Sequence, residues 1–93
     1  MKANEIIVRV MENTLMQDGR QFNQTRMAEG LSEKTGKVVT PAAVNDRLKN
    51  ENMKITNFIE MLDLMGYEVV VRPKNDKRES YVVDPGTDRK RVR

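Results

Sequence analysis

Up to Gly66 the chain repeats apolar residues three and four positions apart, and from Tyr67 that repeat gives way to short β-branched runs. The first period predicts amphipathic helices, each with one buried stripe, and the second predicts a β-hairpin. In "ANEIIVRVMENTLMQ", residues 3–17, the stripe is Ile7, Met11 and Leu15 with Ile6 and Val10 beside it, and Asp18-Gly19 stops the helix. Asn23 then offers an N-cap, because its side-chain oxygen can accept an unpaired amide of the first turn. Met27, Ala28 and Leu31 form the inward stripe of this second helix, and Gly36 suits the left-handed position after it. Gly30 inside the helix costs up to about 1 kcal/mol relative to alanine, which a close helix–helix contact would explain. Thr40 caps a third helix, whose first-position Pro41 gives up no hydrogen bond and whose Val44 and Leu48 face inward. After the polar turn "NENMKI", which holds one anchoring methionine, Met53, the residues Ile55, Phe58, Ile59, Leu62 and Met65 lie on one face of a fourth helix that Gly66 ends.

Two strands are expected from "YEVVVRP" and "SYVVD", closed by Pro73 and Pro85 and joined by the charged "KNDKRE". Alternation puts Tyr67, Val69 and Val71 on one face and Glu68, Val70 and Arg72 on the other. A chain of 93 residues has room for one modest core, so residues 1–85 are expected to make a single domain whose hairpin covers about 67–84, with 86–93 as a basic, flexible tail. Apolar residues are 38% and charged residues 33% of the chain, which favours one-sided helices over large two-sided sheets.

Cysteine and histidine are both absent. Disulfides, thiolate or imidazole metal sites and the usual neutral-pH proton carrier are thereby removed, and no cofactor is expected. The carboxylate pairs Glu60 with Asp63 and Glu29 with Glu33 read as solvated helix residues, and no glycine-rich phosphate loop is present, so an enzyme is not expected. No apolar run approaches the roughly 20 residues of a membrane span, and the first residues lack a signal-peptide layout, so the expected location is the cytoplasm, with no membrane partner. Net charge is +3 and uneven. Residues 1–36 carry five basic and five acidic side chains; residues 37–56 set Lys37, Arg47, Lys49 and Lys54 against Asp46 and Glu51. Arg89-Lys90-Arg91-Val92-Arg93 hold four further positive charges at the end.

The third helix carries the most informative surface. With Val44 toward the core and an advance of about 100° per residue, Leu48 and Thr40 fall within about 40° of it. Ala42, Asp46, Lys49 and Asn45 point away and Ala43 lies on the edge. Small alanines allow close approach to a surface, Asn and Asp match adenine and cytosine edges, and Arg47 and Lys49 lie where phosphate would pass. The same face is equally that of a solvated helix with Asp46 balanced by nearby cations.

Context adds a family. "FNQTRMAEGL" has the aromatic, cap, Gln-Thr and Met-Ala opening of a second helix, "TPAAVNDRL" has Val44 and Leu48 at apolar positions, and "NMKITNFIEMLDLMGYEVVVRPK" has a closing helix and strand. Together, over roughly residues 3–73, these resemble the helix-turn-helix domain of the Cro and phage-repressor (XRE-type) regulators, in particular short clostridial and phage-type members. The resemblance implies a mainly α fold with a small β element: a four-helix, lambda-repressor-like helix-turn-helix domain followed by a C-terminal β-hairpin. It implies that Gln24, assisted by Thr25, bonds a phosphate. Thr40, Ala42, Ala43, Asn45 and Asp46 match positions that enter the major groove, and Lys49, Asn52 and Lys54 match the loop that follows and meets the backbone. One departure is that "SEKTGKVV" replaces the tight glycine turn between the second and third helices.

The expected partner is therefore double-stranded DNA, read by the helix at about 41–49, and the expected role is a small transcriptional repressor. A DNA-binding accessory protein of a plasmid, phage or conjugative element, acting with a second protein of that element, needs the same helix. A protein-interaction module of antitoxin or inhibitor type would keep the scaffold and change the partner. The hairpin has three compatible readings, a wing whose Lys74, Lys77 and Arg78 follow phosphate, an edge that pairs with a second chain, and a cover in which Val69, Val71, Tyr81 and Val83 lie on the helices, and a homodimer is expected. Val70 among polar neighbours hints that the second face is partly covered. If residues 88–93 meet phosphate, each contact steepens the salt dependence by roughly one unit.

Overall fold

A computed structural model describes residues 1–16, 18–75 and 78–85. Gln17, the hairpin-loop residue Lys77 and the expected basic tail, 86–93, lie outside the described residues. The order is α1 (Ala3–Glu12), α2 (Gln24–Thr35), α3 (Pro41–Lys49), α4 (Ile55–Leu64), β1 (Val69–Val71) and β2 (Tyr81–Val83). The fold is mainly helical, with one two-stranded antiparallel sheet. α4 packs against both α1 and α2, and α3 packs against the same two helices. The core joins Ile7 and Met11 of α1 to Met27, Ala28 and Leu31 of α2, Val44 of α3, and Met61, Leu62 and Met65 at α4. No helix among the described residues is long and apolar enough to cross a membrane.

α1 ends earlier than its period predicts. The side chain of Asn13 donates to Arg9 O at 3.0 Å and Thr14 Oγ1 donates to Val10 O at 2.6 Å, so polar side chains take the carbonyls that a further turn would use. The chain then folds back on itself: Met16 N–H bonds Arg20 O, Phe22 N–H bonds Thr14 O, and Leu15 pairs with Gln21. Gly19 makes this return with φ +85°, a conformation glycine adopts freely. Leu15 consequently leaves the helical stripe and is 70% exposed.

α2 begins and ends as its sequence predicts. Asn23 Oδ1 accepts from Arg26 N–H at 2.9 Å, and Gly36 closes the helix with φ +75°. Gly30 marks a close contact with α4: a Cβ built there would stand 3.0 and 3.2 Å from the two methyls of Leu64. Lys34 Nζ also donates to Asp63 Oδ2, tying α2 to α4 a second time.

α4 departs from a simple stripe. Ile55 shares the predicted face but sits at the first helical position and is 68% exposed, while Met53 enters the core from the preceding turn. Met61 is fully buried and Glu60 is 3% exposed, because neighbours lie against two sides of the helix. Glu60 and Asp63 are therefore not a solvated pair: one is inside and the other holds Lys34.

In the hairpin Val69 faces Val83, Val70 faces Val82 and Val71 faces Tyr81. Only Val69 of these packs against the helical core, and Val83 is half-buried. Val71 and Tyr81 share the inward face but stay exposed, since the ribbon runs off the edge of the bundle. The reading in which all four residues cover the helices therefore holds for the Val69–Val83 end of the ribbon only. Val70, across the ribbon from Val82, is 43% exposed.

Candidate nucleic-acid interface

The surface is built from the start of α2, the outer face of α3 and the turn to α4. Gln24, first residue of α2, is half-buried; its Nε2 donates to Oδ1 of Asn45 on α3 at 3.3 Å. Asn45 thus stands on the flank of α3 facing α2, with its amide orientation set by Gln24. Its NH₂ group stays available, and its oxygen retains a second lone pair. Thr25, next on α2, is exposed.

Thr40 caps α3 by accepting from Ala43 N–H at 3.1 Å, and Pro41 follows at the first helical position. Ala42, Asp46 and Lys49 are exposed, whereas Ala43, Asn45 and Arg47 are half-buried and Val44 is fully buried. Asp46 forms no ion pair among the described residues. By helical phase Arg47 lies about 200° from Asn45, on the opposite flank. There it lines a groove with Lys37, Val38, Thr56 and Asn57, above buried Glu60. Arg47 and Asn45 are therefore on different sides of α3, with Asp46 between them.

Asn52 and Lys54 are exposed in the turn after α3. The turn is shaped by Asn50, whose Oδ1 accepts from Asn52 N–H at 2.9 Å. Its acidic residue is engaged: Lys2 Nζ donates to Glu51 Oε1 at 2.8 Å. α1 also holds the end of α3, through Asn4 Nδ2 donating to Leu48 O at 2.9 Å.

The lengthened connection between α2 and α3 is braced. Ser32 Oγ accepts from Val39 N–H at 2.8 Å, and its single proton lies between Ala28 O at 2.8 Å and Val39 O at 3.2 Å. Val39 packs on the core, so its neighbour Val38 is turned outward and is 90% exposed. The helical repeat singles out neither Ser32, which braces this connection, nor Val38, which joins Lys37 in the groove beside Arg47. The available signal was the Val38-Val39 doublet outside any helical stripe, where neighbouring extended residues point opposite ways.

Chemically, the surface offers an oriented amide, an exposed carboxylate, small alanines, and ammonium groups at Lys49 and Lys54. That set suits recognition by hydrogen bond and charge. No protein-family model, curated protein or solved structure matches the chain.

Proposed function

We propose that this chain binds double-stranded DNA as a helix-turn-helix protein, with α2 across the backbone and α3 in the major groove, and that it acts as a small transcriptional repressor. The observation that carries the reading is the Gln24–Asn45 hydrogen bond. A merely solvated asparagine gains little from a fixed rotamer, whereas one that pairs with an adenine edge needs its amide pre-set. The other parts agree with it. Ala42 leaves room for close approach at the start of α3, and Lys49 and Lys54 stand at its far end, where phosphate would pass. Gln24 opens α2, so a phosphate near it would also meet the unpaired amides of that helix. The reading includes a homodimer, because two copies would read paired half-sites.

Titration of a duplex by fluorescence anisotropy at several salt concentrations tests this. Lys49→Ala is expected to lower the salt slope by about one and to weaken all sequences alike. Gln24→Ala and Asn45→Ala are expected to lose discrimination at the same base pair, the double variant losing little more than either single one. Additive losses at different positions would contradict the reading. An accessory role at a mobile element's processing origin uses the same surface and is told apart by clustered rather than single sites.

One observation favours a protein partner instead: exposed Asp46 at the centre of the face has no ion pair among the described residues. On that reading Asp46→Ala abolishes capture of the partner, while on the DNA reading it only relaxes a base preference.

A further inference from the structure

We propose that the outer edge of β1 pairs antiparallel with β1 of a second copy of this chain, about a two-fold axis at Val70. The inference deepens the dimeric reading above and rests on it for its use, though its chemistry comes from the ribbon alone. β1 and β2 form a sheet of two strands, so each keeps an unpaired edge among the described residues. A ribbon of that size is marginal in water and its open edges are templates for another strand. Val70, Val71, Tyr81 and Val82 all remain exposed on it, an apolar surface that the helices leave uncovered.

The sequence of the edge reads Glu68-Val69-Val70-Val71-Arg72, and it is complementary to itself when reversed. Centred on Val70, Glu68 falls opposite the partner's Arg72 and Arg72 opposite the partner's Glu68. Val70 meets the partner's Val70, and Val69 meets the partner's Val71. Both charged residues are exposed, and neither is ion-paired among the described residues. Opposite charges directly across an antiparallel pair are favourable and like charges are not, so the edge selects its own copy.

Other registers lack this match. Centring on Val69 sets Glu68 against the partner's Val70. Centring on Val71 brings Pro73, which has no N–H, into the ladder opposite the partner's Val69. The free edge of β2, centred on Val82, sets Ser80 against the partner's Asp84 with no charge complement. Because Val70 faces Val82 across the hairpin, pairing at β1 also lines four valines across four strands on one face. Antiparallel pairing sends the two chains away from Val70 in opposite directions, with a helical body toward each end.

Sedimentation of the whole chain without DNA tests the register through a charge swap. Wild type is expected to show a reversible dimer. Glu68→Arg alone sets Arg against Arg twice, and Arg72→Glu alone sets Glu against Glu twice, so each is expected to weaken dimerisation on the order of tenfold. Glu68→Arg combined with Arg72→Glu restores both pairs and is expected to return to the wild-type constant. A wild type that stays monomeric at about 100 µM, or a double swap no better than the singles, overturns the proposal. A dimer of this register that selects no DNA sequence refutes only the reading of α3; a monomer that selects one half-site refutes only the pairing.

Discussion

The hydroxyl of Thr40 accepts an amide that nothing else in α3 can satisfy, at 3.1 Å from Ala43 N. Thr40→Ala should therefore lower stability by about 1 kcal/mol in denaturant unfolding, while Thr40→Ser, which keeps the oxygen, should lie close to wild type. Caps of this kind were legible in advance because their cause is local: Asn23, Thr40 and Gly36 need only their immediate neighbours. Val44 and Leu31 were legible for a similar reason, their spacing alone fixing the inward side. Met53 was legible as the one anchoring methionine of its polar turn, but Met61 was not: a methionine beside a predicted stripe enters the core only because of where other helices stop, which no local pattern carries. The partner of Asn45 was equally hidden, since Gln24 is brought to it by the packing of α2 on α3.

Among elements, the connection from α2 to α3 depends on one side chain. Ser32→Ala leaves Val39 N–H without its acceptor and should cost about 1–3 kcal/mol by thermal unfolding, more than an exposed serine would. Loss of DNA discrimination in that variant under conditions where it remains folded would follow from a looser α3. Gly30 gives an opposing case. Alanine there gains helix propensity of up to about 1 kcal/mol but presses on the methyls of half-buried Leu64, so Gly30→Ala should change stability by less than about 1 kcal/mol. In a Leu64→Ala background the same substitution should become clearly stabilising, a non-additivity that a double-mutant cycle measures. The sequence raised a close helix contact as one explanation of this glycine without showing it; the contact with Leu64 comes from the packing of α2 on α4. At the ends of α1 and α4 periodicity misled: Leu15 and Ile55 continue a stripe by spacing while the backbone turns or the bundle ends beneath them.

At the scale of the molecule, one small core supports everything, with buried contributions from all four helices of the described residues. Leu31→Ala should cost about 2–5 kcal/mol, a large share of the roughly 5–15 kcal/mol a domain of ordinary stability holds, and should shift the denaturant midpoint accordingly. Among the described strand residues Val69 packs on that core, so in dilute protein the hairpin amides should exchange before those of α2 and α4. Architecture was legible from the change of period at Tyr67; the attachment of the ribbon was not, because alternation assigns faces without saying how far the helices extend beneath them. The central claim concerns the outer face of α3, and selection from random duplex DNA at about 150 mM salt, repeated with Asn45→Ala, tests it most directly. The account predicts an enriched motif with two related halves, relaxed by Asn45→Ala by about 1–3 kcal/mol at one position in each half. Weak, salt-sensitive retention of every sequence, unchanged by Asn45→Ala, would contradict it.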